Sequence, residues 1–252
     1  MNRLSKAAEV QNGLHSQGLP SPTLAWIQNA LPNRDPLPPL LALIATVKAR
    51  LMAADITNAV LDSSAPSFPA NIANPEVKET KLERDVLVQV LDIDNLTKSK
   101  WEQVEELEAI ARGEQTTGRE MIRLPTNGEE EEELGYGSLA TQNLSTARPG
   151  GRGGAAGSGT PKNSTHRLVL QDCKGNKVYG LELKRIDKIG IGTLNIGEKI
   201  IVKKGAIVAR GVLLLEPSTC VIMGGKIDAW QKAWFDGRLT RLKETVGADI
   251  RG

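Results

Sequence analysis

Few residues in this chain have the type and spacing that catalysis requires. His15 and His166 are the only histidines, and neither has acidic or cysteine neighbours at metal-ligand spacing. Cys173 and Cys220 lie far apart and form no Cys-x-x-Cys arrangement; they read as buried reduced thiols of an intracellular protein. No Gly-x-Ser-x-Gly elbow is present. Gly190-Ile191-Gly192 with Gly197 and Lys199 has the look of a phosphate loop, but a Walker A loop needs Gly-Lys-Ser/Thr in direct succession. Here Gly197 is followed by Glu198, whose charge repels phosphate. These spacings predict no enzyme, no cofactor and no metal site.

Binding chemistry is a better prospect, within limits. A net charge of +2, from 32 basic and 30 acidic residues, gives no strong nonspecific grip on nucleic acid unless cations gather on one patch. Lys184, Arg185, Lys203 and Lys204, with Lys188 and Arg210 nearby, are placed to track phosphates, but Glu182, Asp187 and Glu198 dilute them. Aromatic residues are only 3% of the chain, and Tyr179 stands alone in its region. Base stacking, worth about 1–3 kcal/mol per base, therefore has little to work with. Weak DNA contact at Lys184, Arg185, Lys203 and Lys204 is the expectation. The Arg148 to Gly154 stretch resembles an RGG segment but reads as a flexible linker.

The elements that must position these residues centre on His166 to Asp228. Apolar runs of four to eight residues, rich in Val and Ile and punctuated by Gly, Asn and Pro, read as closely spaced antiparallel strands. Arg167 to Asp172, the turn Lys174-Gly175-Asn176, Val178 to Leu183, Lys199 to Val202, Val212 to Leu215 and Cys220 to Gly224 are the pieces. A five-stranded OB-type barrel closes most of its edges with so few strands. An open meander or part of a sandwich is the alternative.

The start of the chain reads as a helical bundle over residues 1–63. Leu4, Ala7, Ala8, Val10 and Leu14 form a weak stripe. Ser21-Pro22 reads as a helix entrance before Leu24, Trp26, Ile27 and Leu31, and a longer helix follows from Leu40 to Met52. Asp55 is placed to cap a last short helix through Ile56, Val60 and Leu61. Trp26 reads as a core anchor. Residues 64–84, with Pro66, Pro69 and Pro75, read as a link, and 85–252 as the barrel domain. Asp85 to Ile93 alternates as a first barrel strand, and Trp101, Val104, Leu107 and Ile110 share a helical face behind a Ser99/Glu102 capping box.

From 113 to 165 the periodicity fails, and the segment is expected to be a flexible insertion after the first strand. It carries the apolar island Met121-Ile122-Arg123-Leu124-Pro125, the acidic run Glu129 to Glu133, and Leu134, Tyr136 and Leu139. A C-terminal helix over 226–246 carries Ile227, Trp230, Trp234, Leu239 and Leu242, interrupted by Gly237. The fold class is therefore α+β: helical bundle, OB barrel with a long insertion, C-terminal helix. No run reaches the roughly twenty apolar residues of a membrane span, and no signal-peptide core opens the chain, so no membrane is expected among its partners.

Leu194 to Val202, Arg210 to Pro217 and Val221 to Ala229 resemble the N-terminal domain of the RecQ-mediated genome instability protein 1 family. Ser99-Lys100-Trp101, Ala111-Arg112-Gly113 and Pro22 to Asn29 resemble other parts of it, and the order of the pieces is more specific than any one. The resemblance implies a noncatalytic, nuclear OB-fold subunit of a complex with a RecQ-family helicase and topoisomerase III, a type IA enzyme, which dissolves double Holliday junctions. It also implies that the insertion enters the topoisomerase's DNA gate and favours its open state, promoting decatenation. On that basis Lys100, Trp101, Leu215, Glu216 and Pro217 are expected to touch the topoisomerase. Met121, Ile122, Arg123, Leu124, Pro125, Leu134, Tyr136 and Leu139 are expected inside the gate. A single-stranded DNA-binding protein acting alone is the rival reading.

Overall fold

The computed structural model describes residues 3–33, 36–114 and 164–247. Helices α1 (Arg3–Ser16), α2 (Leu24–Ala30) and α3 (Leu40–Ala53) pack around Val10, Leu14, Ile27, Leu43, Val47 and Leu51. The entrance to α2 differs from the sequence reading. Pro22 is held extended in a bridge with Leu61, so the cap falls to Thr23, whose hydroxyl accepts the Trp26 N–H at 3.3 Å. Trp26 packs half-buried against the bundle core. Residues 55–60 form turns instead of a fourth helix, because the Asp55 carboxylate accepts the Thr57 N–H at 3.0 Å and is also held by Gln89 of the barrel.

The remaining strands form one curled eight-stranded sheet in the order β1-β6-β7-β4-β3-β2-β5-β8. They are β1 (Thr80–Lys81), β2 (Val86–Asn95), β3 (His166–Asp172), β4 (Lys177–Glu182), β5 (Lys199–Val202), β6 (Ile207–Ala209), β7 (Val212–Leu215) and β8 (Cys220–Gly224). The count exceeds five because short pieces such as β1 and β6, of two and three residues, extend the sheet. Alternate side chains meet inside it: Val88, Val90, Leu168, Leu170, Ile200, Val202, Leu213 and Leu215 are all fully buried. Strands β4 and β7 run parallel; the other pairs are antiparallel. In the proline-rich segment before β1, Phe68 and Ile72 sit in the barrel core, as does Leu82 just after β1. Asp172 ties the segment down by accepting the Phe68 N–H at 2.7 Å while also bonding the Lys174 and Asn176 N–H groups of the β3–β4 turn. Cys173 lies in that turn, half-buried, and Cys220 is buried at the start of β8; both are free thiols.

Helix α4 (Lys100–Ala111) follows β2 and begins with the expected capping box, Ser99 and Glu102 bonding each other's backbone N–H. The C-terminal helix is two helices, α5 (Asp228–Asp236) and α6 (Arg238–Val246), broken at Gly237. Trp234 enters the barrel core and donates its indole N–H to Asp92 at 2.5 Å. Bundle and barrel share a seam. Leu87 and Ile201 turn outward from the barrel into the bundle core, and the buried Gln89 amide accepts the Ile56 N–H and donates to Asp55 and Gln171. Gly225 (φ +90°) lies so close that an added Cβ would stand 2.4 Å from the Met52 carbonyl oxygen.

Candidate partner-docking surface

The outer face of the barrel is built by strand parity. In β3, β4 and β7, residues that alternate with the core side chains line up across the sheet as two rows, Val169–Tyr179–Val212 and Arg167–Leu181–Leu214. Tyr179 is half exposed, Val169, Leu181, Val212 and Leu214 are partly so, and Leu183 just beyond β4 is 53% exposed. Arg167 lies over the Tyr179 ring at 5.0 Å and pairs with Asp94 at 2.9 Å. Asp94 also pairs with Lys100, which the α4 capping box places in the helix's first turn beside the half-exposed Trp101. The result is an apolar strip with an aromatic centre and a charged rim, the composition of a protein-binding patch.

Of the residues expected to touch a partner, Lys100 and Trp101 reach the surface at this rim. Leu215 does not. It points into the barrel, fully buried between Gly180 and the core, so its side chain offers nothing to a partner. Val212 and Leu214 are the residues of β7 that face outward. Glu216 and Pro217 follow in the β7–β8 turn, Pro217 exposed and Glu216 paired with Lys184 at 3.1 Å.

The basic residues expected to contact DNA are mostly engaged. The N–H groups of Lys184 and Lys203 bond Leu215 and Thr219, which places the two lysines on either side of the β7–β8 turn. Lys184 pairs with Glu216, and Lys203 with Asp85 at 2.7 Å. Arg185 is turned inward, donating to the Ile189 carbonyl at 2.7 Å and to the buried Glu182 carboxylate. Lys204 is exposed at the end of β5. Burial pushes the Glu182 carboxyl up, but hydrogen bonds from His166 and the Ile186 N–H, with the charges of His166 and Arg185, outweigh it and hold the group below its ordinary value. His166 Nδ1 stands 2.8 Å from Glu182, so this buried cluster pins the first residue of β3. Among the described residues no group of His, Cys, Asp and Glu could hold a metal ion. The expected gate residues, Met121 to Pro125, Leu134, Tyr136 and Leu139, lie outside the described residues.

A family model described as RMI1, N-terminal OB-fold domain, matches residues 68–238, from the first buried residue beneath the barrel to the start of α6. The chain belongs to this family. It is 29% identical over 191 residues to RecQ-mediated genome instability protein 1 of Schizosaccharomyces pombe, covering 75% of this chain and 74% of that protein. With the protein of the same name from Saccharomyces cerevisiae it shares 23% identity over 183 residues, 66% of this chain and 72% of the relative. In this member of the RMI1 N-terminal OB-fold family the outer strip, the α4 rim and the β7–β8 turn all fall within the matched residues, whereas α1 to α3 precede them. Sequence reasoning placed the barrel but missed the strip, because Val212 to Leu215 is apolar throughout and an uninterrupted run hides which side chains face out. The signal that finds it is the register against Tyr179, the one bulky aromatic on β4.

Proposed function

We propose that this chain is a noncatalytic nuclear subunit that works with a RecQ-family helicase and topoisomerase III, and that it stimulates decatenation and the dissolution of double Holliday junctions. The observation that carries the reading is membership of the RMI1 N-terminal OB-fold family across residues 68–238, shared with two relatives named RecQ-mediated genome instability protein 1. The barrel is the docking body. Its outer strip of Tyr179, Leu181, Val212 and Leu214, with Lys100 and Trp101 at the rim and Glu216 and Pro217 in the adjoining turn, takes the topoisomerase.

The segment between α4 and β3, with Met121 to Pro125, Leu134, Tyr136 and Leu139, is assigned to the enzyme's DNA gate. Its action needs no chemistry of its own. A segment that binds the open gate better than the closed one shifts that equilibrium by the difference in affinity and no more. The rival reading, a single-stranded DNA-binding protein acting alone, has less support, since Lys184, Arg185 and Lys203 are already paired with Glu216, Glu182 and Asp85. Mixing the purified chain with a topoisomerase III on a sizing column tests the partner assignment. Co-elution as a defined complex supports it, and separate elution at micromolar concentrations overturns it.

A further inference from the structure

A second site adjoins the outer strip and shares Arg167, Asp94 and Lys100 with its edge, in a cleft of about 210 Å³ where α4, the end of β2 and the α5–α6 break meet. Four cations line it, Lys100, Arg167, Arg238 and Arg241, against two carboxylates, Asp92 and Asp94, which leaves an excess of two positive charges. Both carboxylates have partners within the fold. Asp94 bridges Lys100 and Arg167, while Asp92 accepts the Trp234 indole N–H and the Ile93 N–H. The two arginines of α6 have no carboxylate in direct contact among the described residues, although Asp94, Glu106 and Asp92 act on Arg238 from further off. Arg238 and Arg241 lie over the Trp234 ring at 5.4 and 5.7 Å, and neither forms an ion pair among the described residues. Arg238 has one long hydrogen bond, 3.4 Å to Gln103, and Arg241 one of 2.9 Å to the Trp234 carbonyl. A guanidinium carries five N–H donors in a planar fork suited to a carboxylate. Burial, with the neighbouring Arg241 charge, pulls the Arg238 guanidinium below its ordinary value against the attraction of Asp94, Glu106 and Asp92.

We propose that this cleft binds a single carboxylate side chain presented by an acidic segment of a partner protein, gripped by the Arg238 and Arg241 guanidiniums that Trp234 holds in place. The surroundings favour one anionic side chain over a nucleic-acid strand. The cleft is small, and its excess of two positive charges suits one carboxylate rather than a strand's run of phosphates. The site shares Lys100 with the surface assigned to the topoisomerase, whereas Arg238 and Arg241 lie outside that surface, and its test uses the chain by itself.

A fluorescein-labelled octapeptide of alternating Glu and Leu is titrated into the purified chain, read by anisotropy and by the Trp234 indole N–H resonance. Saturable binding that moves this resonance, falls about tenfold or more in Arg238→Gln and Arg241→Gln, and is unchanged in Lys204→Gln is the expected result. Arg238→Lys, which keeps the charge and loses the fork, falls between. The Gln-for-Glu peptide is expected not to bind. Full binding by the two arginine-to-glutamine variants, with their thermal unfolding unchanged, overturns the proposal. So does tighter binding at the same resonance by an eight-nucleotide single strand, or equal occupancy by inorganic phosphate.

Discussion

Lys199 is fully buried beside the seam between bundle and barrel, and replacing it makes a quantitative prediction. Its ammonium donates to the Gly197 carbonyl at 2.5 Å, and burial pulls its pKa from 10.5 down to about 8 against the attraction of Asp55 and Glu198. At about 1.36 kcal/mol per pH unit, that gap means the charged form costs the fold roughly 3 kcal/mol at neutral pH. Below pH 8 the group is protonated in both folded and unfolded chains, and the cost is fully present. Between about 8 and 10.5 the folded chain has released the proton while the unfolded chain keeps it. The unfolded state then binds more protons, so stability rises with pH across that window. Lys199→Met keeps the apolar stem and removes the charge, leaving the Gly197 carbonyl short of one bond at a cost of about 1 kcal/mol. The variant is expected to be about 1–2 kcal/mol more stable than the parent at pH 7 and to lose the rise above pH 8. Urea unfolding at pH 7, 8, 9 and 10 measures both. A variant less stable at pH 7 that still gains stability above pH 8 would refute the reasoning.

Four further substitutions separate the surface from its supports. Leu214→Asp is expected to leave stability within about 1 kcal/mol and abolish co-elution with topoisomerase III, whereas Leu215→Ala loses about 2–5 kcal/mol in urea unfolding through a core cavity. Gly225→Val forces a β-branched side chain into φ +90° against the Met52 carbonyl; the bundle is expected to detach, read as faster amide exchange at Gln89 and Ile56. Ser99→Ala removes half of the α4 capping box and is expected to cost about 1 kcal/mol in thermal unfolding.

How much of this was legible in the sequence depends on whether the signal was local. The α4 capping box, the β3–β4 turn and the break at Gly237 are written in adjacent residues, and the structure places each where its residues predict. Asp55 and Pro22 were misread because their partners, Gln89 and Leu61, lie more than thirty residues away and override local propensity. Leu215 was expected at the partner surface on the family resemblance, and a four-residue apolar strand does not reveal that its side chain points inward. Lys199 sits between the exposed-looking Glu198 and Ile200, and only the bundle's position shows that it is covered. The α4–α6 cleft escaped notice because Arg238 and Arg241 look like the solvent face of a terminal helix until Trp234 and Asp92 are seen beneath them.

The central claim is that a docked barrel carries a segment which prefers the open gate of another enzyme. Decatenation by topoisomerase III in the presence of the intact chain, or of a chain lacking residues 118–159, measures it directly. The deleted chain is predicted to co-elute with the enzyme yet lose most of the stimulation; full stimulation from a deleted chain that still binds would contradict the account.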